Sequence, residues 1–366
     1  MNKKLMSLVM LLLIGQNGFT LYAKSQTGCD SFANSGIAHE ILQLVAKSKQ
    51  LSITHLNFKI HEKILILTDS KYYPLCALVS QNGIILEKVT LNTPLENSNG
   101  IYTFANTLNP LGEQDQRQLS QALSKITEKE FFIYNTGVSF LDAFDNQKSN
   151  TLRYHFAFIV HEAFHLLGQT WRNNAALHDV QQAHFGFNNS QVQSFVQDRC
   201  YGGTPEIKNH FKTEIEFLSQ AYQNALEGKK DEAFKRLADY IKQAEKRYLL
   251  TDSLDITFSH ESWLRKATCH EVEEELKFKE GGAEFVEVSY LQSLNLIAPL
   301  DLIQNTDYVN FYIREGSSFY YIGMLELTVL KLLDTNFETY LKTDYAKQDL
   351  LWNDNLPFFR LKNLTN

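Results

Sequence analysis

His161-Glu162-Ala163-Phe164-His165 places two imidazoles four residues apart with a carboxylate between them. On a helix, positions i and i+4 share one face, so both rings point the same way. Two neutral imidazole nitrogens presented together can bind one Zn²⁺, and Glu162 beside the ion can take a proton from water. The setting strengthens this reading. Phe156-Ala-Phe-Ile-Val160 precedes the motif, Leu166-Leu167 follows it, and from Phe156 to Thr170 the only formal charge is Glu162. An apolar helix that buries one Glu and two His needs compensation, because unpaired buried charge is costly. Metal coordination supplies that compensation.

A catalytic zinc site needs a third protein ligand and one open position. The candidate lies at Glu280-Gly281-Gly282-Ala283-Glu284-Phe285. With this string downstream of an intact H-E-x-x-H, the chain resembles the gluzincin metallopeptidases. Their aminopeptidase-like branch writes the second helix as E-G-x-A-x-[YF]. The resemblance puts Glu280 in the ligand place and Glu284, one turn on, in the place of a carboxylate that steadies a ligand histidine. The small residues are expected to let this helix approach the metal helix closely. Glu284 itself, Glu214 and Glu216 stay open as rivals for the third ligand. The same branch carries Y-x-x-G at the start of a later helix, matched here by Tyr320-Tyr321-Ile322-Gly323. That match implies that the Tyr320 phenol donates to the oxyanion of the tetrahedral intermediate, with Tyr321 as the neighbour able to replace it. The resemblance covers about residues 152–170 and 275–335, at the level of motifs.

Two departures follow from the text. His165 and Glu280 are 280 − 165 = 115 positions apart, so the helices of about 205–259 are expected to form an insertion that bulges away from the cleft. No G-x-M-E-N segment precedes the metal helix, since Leu95-Glu96-Asn97 lacks the Gly and Met. Endo- and exopeptidase action both stay open.

The elements that must hold these residues read as α+β: a β-rich N-terminal part, then a mostly helical zincin-like core. Leu51 to Ile60 alternates apolar and polar residues, as a half-buried strand does. Ile64–Leu67, Leu75–Val79, Ile84–Val89, Ile101–Phe104 and Phe131–Tyr134 continue the strand pattern. Asn82-Gly83 and Asn99-Gly100 mark turns between them. Helices are expected over 152–170, 214–226, 232–248, 272–294 and 318–333. The stretch from Phe185 to Pro205 reads as polar and turn-rich. The resulting division is 1–23 signal peptide, 24–135 β-rich region and 136–366 catalytic region, with the insertion at 205–259.

The first residues read as a signal peptide. Lys3 and Lys4 precede the apolar run Leu5–Ile14, and Ala23 marks a cleavage point. Export to a periplasmic or extracellular space would let Cys29, Cys76, Cys200 and Cys269 form two disulfides. Three connectivities are possible, and a Cys200–Cys269 bridge would tie the base of the insertion. A formal net charge of -7 argues against a nucleic-acid binder held by phosphate contacts. No P-loop, G-x-G-x-x-G or G-x-S-x-G is present. The expected activity is hydrolysis of peptide or protein amide bonds, with one Zn²⁺ on His161, His165 and Glu280 and with Glu162 as general base. Two other classes stay open. One is an inactive peptidase-like binding protein; the other is a helical interaction protein in which H-E-x-x-H is accidental.

Overall fold

A computed structural model describes residues 29–51, 58–69, 75–92, 96–97, 100–101, 104–105, 107–109, 111–136, 151–168, 194–258, 267–304, 318–341 and 356–365. The expected signal peptide and most of the expected strand over 51–60 lie outside these residues. The fold is α+β and forms two compact units, 1–50 with 59–156, and 51–58 with 157–366. The division falls at 156/157 rather than at 135/136.

In the first unit, helices α1 (Cys29–Ala33) and α2 (Gly36–Ser48) precede the sheet. Helix α2 has the Ser35 side chain as N-cap and buries Ala38, Ile41, Leu42 and Val45, an apolar stripe at helical spacing. Ile60, expected to end a strand, instead opens a short 3₁₀ turn, Ile60–Glu62. Strands β1 (Ile64–Thr68), β2 (Leu75–Gln81) and β3 (Ile84–Leu91) follow. Next come the two-residue strands β4 (Glu96–Asn97), β5 (Gly100–Ile101) and β6 (Phe104–Ala105). Helix α3 (Glu113–Ser124) and strand β7 (Phe131–Asn135) complete the unit's sheet.

The main sheet has five strands in the order β3-β2-β1-β7-β6. Strand β1 lies at its centre, buried along its whole length and paired parallel to β7 and antiparallel to β2. An unbroken apolar strand of this kind suits a position covered on both faces. Ile64, Ile66, Ala77, Val79 and Ile133 pack with Leu119 and Ala122 of α3 in one core. The β2–β3 hairpin turns at Asn82 (φ 54°) and Gly83 (φ 75°), the left-handed pair that a two-residue hairpin requires. A Cβ at Gly83 would also lie 2.3 Å from the Leu42 carbonyl oxygen of α2. A disulfide joins Cys29 to Cys76.

The metal-motif helix α4 spans Thr151–Ala163 and continues as a π-turn, Phe164–Gly168. In the second unit the π-turn Val196–Tyr201 leads to α5 (Pro205–Leu226) and α6 (Lys230–Ser253). Helix α5 begins nine residues before the expected Glu214, because Thr204 caps it and Pro205 occupies the first turn. A short ribbon, β8 (Thr257–Phe258) with β9 (Ala267–Thr268), precedes α7 (Cys269–Ser293). Thr268 and Glu271 form a reciprocal capping box at the start of α7. The remaining helices are α8 (Asp301–Gln304), α9 (Ser318–Leu333), α10 (Phe337–Tyr340) and α11 (Pro357–Thr365). Cys200 is bonded to Cys269, at the base of the α5–α6 pair.

The α5–α6 pair does not bulge away from the helix that carries Glu280. Arg247 of α6 is fully buried and bonds both Glu214 of α5 (2.6 and 2.9 Å) and Glu273 of α7 (two contacts of 2.8 Å). Glu214 and Arg247 thus lie in the helical core, whereas the charges between Ala221 and Tyr240 are exposed or half-buried.

Candidate metal centre

The site is built on α4 with its π-turn, α7 and α9. Phe156, Ile159, Val160, Ala163, Phe164 and Leu167 bury the apolar face of the first helix. His161 lies in its regular part and His165 in the π-turn, a local widening often found at functional positions. On α7, Glu280, Glu284 and Glu287 are spaced by four and three residues, so they stack on one face.

These elements bring together the residues that the motifs single out. His165 Nε2 lies 3.1 Å from His161 Nε2 and 3.0 Å from Glu280 Oε2, and His161 Nε2 lies 3.7 Å from the same oxygen. For ligand atoms about 2.0–2.1 Å from a tetrahedral zinc, the edge of the tetrahedron is roughly 3.3 Å. The three separations bracket that edge, so the donor set fits a single ion of this size. Side-chain exposure is 8% for His161 and 5% for Glu280, so water does little to offset the crowding of these donors.

On the opposite side of its ring, His161 Nδ1 lies 3.3 Å from Glu287 Oε2 and 3.5 Å from Glu284 Oε2. In a neutral His161 a proton on Nδ1 would face these two acceptors, and the Nε2 lone pair would face His165 and Glu280. That is the tautomer a metal-binding histidine needs. The donor atoms of His161, Glu284 and Glu287 also lie within 4.8 Å of one another. Glu284 holds the place expected of it, whereas Glu287 is absent from the sequence motifs. The spacing 280, 284, 287 puts it on the face of Glu280 and Glu284, but nothing in the sequence says that this face meets His161.

The electrostatics follow from burial and these partners. Burial disfavours a charged His161, but hydrogen bonds to Glu280, Glu284 and Glu287 outweigh it and raise its pKa well above the usual imidazole value. Glu280 would be pushed up by burial, yet His165 and His161 hold it well below the usual carboxylate range. Glu287, desolvated and close to Glu284, is raised to about 7.

Tyr320, at the start of α9, stacks on His161 with ring centroids 5.6 Å apart. Burial and then its hydrogen bond with Glu280 raise its pKa well above the usual phenol value. Its hydroxyl is thus beside the site. Tyr321 is not available for the same role, because its hydroxyl donates to the Leu302 carbonyl at 3.0 Å. Among the rival ligands, Glu214 is engaged by Arg247 and Glu216 is exposed. Glu162 is half-buried and close enough to contribute to the fields at both His161 and Tyr320.

Gly281 and Gly323, one from each of the two later motifs, meet each other. A Cβ on Gly281 would lie 2.6 Å from Gly323 Cα, and one on Gly323 would lie 2.4 Å from the Lys277 carbonyl oxygen. Helices α7 and α9 therefore touch backbone to backbone. That contact sets Tyr320, three residues before Gly323, beside Glu280, next to Gly281. Comparison with protein families, with curated proteins and with solved structures finds no match to this chain.

Proposed function

We propose that this protein is a zinc-dependent hydrolase of amide bonds, acting on peptides or proteins. The observation that carries the proposal is the convergence of His161, His165 and Glu280 at 3.0–3.7 Å, with Glu162 next to His161 in the chain. An accidental H-E-x-x-H gives no reason for a carboxylate 115 positions away to sit 3.0 Å from His165. The site as a whole supports a gluzincin-like core.

His161, His165 and Glu280 would hold the ion. Zinc, when bound, supplies a Lewis acid that acidifies water and polarises a carbonyl. Glu162 accepts the proton of the attacking water and passes it to the leaving amine. Tyr320, kept neutral by burial, offers an O–H to developing negative charge. Two disulfides accord with export to an oxidising compartment. No helix among the described residues is long and apolar enough to cross a membrane.

The test is metal content by elemental mass spectrometry, with the parent protein beside Glu280→Ala. Near-stoichiometric zinc in the parent and its loss in the variant are expected. A parent that takes up no zinc after reconstitution overturns the reading, and zinc retained in the variant removes Glu280 from the ligand set.

A further inference from the structure

We propose that Glu287 is a positioning residue for the metal centre, sharing with Glu284 the Nδ1 proton of His161 and so fixing that imidazole with Nε2 bare. The inference rests on the zinc reading above and goes beyond it, because the motifs supply one supporting carboxylate where the structure has two. The Glu287 oxygen is the nearer, at 3.3 Å against 3.5 Å. Neither contact is an optimal N–H···O bond, whose usual range is about 2.7–3.2 Å. The pair of distances puts both carboxylates within ion-pair reach of Nδ1. Glu284 lies one turn before Glu287 on the same face of α7, so one helix presents both carboxylates to Nδ1.

Three features make Glu287 more than a neighbour. It is nearly buried, with 11% of its side chain exposed, so desolvation must be offset by what it touches. It lies two helical turns beyond Glu280 on the same face of α7, so one rigid helix sets both the ligand carboxylate and the clamp. Its partner His161 is held on a third side by the Tyr320 ring at 5.6 Å. The imidazole is therefore fixed in plane by the carboxylates and in tilt by the phenol. Outer hydrogen-bond partners of this kind typically change metal affinity by about 10- to 100-fold.

The test is zinc affinity, measured by competition with a chromophoric chelator, for the parent, Glu287→Ala, Glu287→Gln and Glu284→Ala. Histidine ring ¹⁵N spectra of the zinc-loaded proteins provide the second readout. Glu287→Ala is expected to weaken zinc binding about 10- to 100-fold. Glu287→Gln should recover part of that loss, because its amide oxygen still accepts from Nδ1–H. In the spectra the His161 Nδ1–H resonance should move in every Glu287 variant, which a residue that only packs would not cause. If Glu287→Ala does not fold, the resonance in the isosteric Glu287→Gln decides. Affinity within twofold of the parent in both Glu287 variants, or an unmoved resonance, overturns the role and leaves Glu284 as sole acceptor. A parent that binds no zinc would instead strike the zinc reading, so the two failures are distinguishable.

Discussion

In the proposed reaction Glu162 carries the chemistry at the residue scale, although it contributes no donor atom to the His161–His165–Glu280 group. Its half-buried position next to His161 suits a group that must meet water and still feel the site. Glu162→Gln keeps the shape and the hydrogen-bonding capacity but removes the basic oxygen. Peptide hydrolysis should fall by at least about 10²- to 10⁴-fold, the usual contribution of general-base catalysis, while zinc content stays at the parent level. A peptide-library assay beside elemental analysis checks both. A variant that still turns over, or one that loses its zinc, removes the assignment. The two histidines were legible because a four-residue spacing puts them on one helix face; Glu162 was read with them from H-E-x-x-H, and Glu280 through the resemblance of Glu280–Phe285 to the gluzincin motif. Glu287 was not legible. Helix α7 also carries Glu271, Glu273, Glu274, Glu275, Glu280 and Glu284, and nothing local marks which of seven glutamates turns toward His161.

At the scale of elements, helix α7 explains both what sequence patterning shows and what it hides. Its start was read three residues late, at Val272, although Thr268, just before Cys269, forms a capping box with Glu271. Its environment was not legible, because Glu273, Glu274, Lys277, Glu280 and Glu284 are all nearly or fully buried. An apolar stripe marks the inward face of a surface helix, but a helix surrounded on all sides has no such stripe. The burial of Glu214 and Arg247 was hidden for the same reason, since it depends on partners in other helices. Gly281 marks a close approach, and its nearest partner is Gly323 of α9. Gly281 faces Gly323, which no local rule could pair across 42 positions (323 − 281). A methyl group at Gly323 would lie 2.4 Å from the Lys277 carbonyl oxygen and 3.0 Å from Gly281 Cα. Both neighbours are backbone and cannot rotate aside. Gly323→Ala should therefore cost about 1–3 kcal/mol or more by overpacking, and zinc affinity should fall with it as α9 and Tyr320 move off Glu280. Gly36→Ala, whose Cβ would meet nothing within 4 Å, is the control and should be neutral or slightly stabilising. Urea denaturation and chelator competition on the two variants give the answer. A Gly323→Ala protein as stable as the control would show that the helices can part without loss.

At the scale of the whole molecule, the described residues hold a second set of buried charges besides the candidate metal centre. Arg247 and Lys277 face Glu214, Glu273, Glu274 and Glu326, with Tyr240 and Tyr248 hydrogen-bonded into the group. Two cations cannot neutralise four carboxylates, and one oxygen each of Glu274 and Glu326 is buried without a hydrogen-bond partner. The cheapest settlement is a proton on a carboxyl group. Burial, only partly offset by Lys277 and worsened by Glu274, raises Glu326 to about 7 from its ordinary 4.5. The sign of the linkage then follows. A carboxyl whose folded pKa lies above its unfolded value holds its proton more tightly when folded. Its contribution is fully present below about pH 4.5 and is lost as the pH rises through about 7. A shift of 7 − 4.5 = 2.5 units corresponds to at most about 3 kcal/mol. Glu326→Gln supplies a permanently neutral group that still accepts from Tyr240 and Lys277, so it should abolish this part of the pH dependence. Relative to the parent, the variant should gain stability between pH 5 and pH 8, by up to that amount. Urea denaturation of both proteins at pH 5, 6.5 and 8, with chelator present so that zinc loss does not enter, measures the difference. Parallel pH profiles would mean that Glu326 is ionised throughout and that the excess negative charge is settled elsewhere in the network.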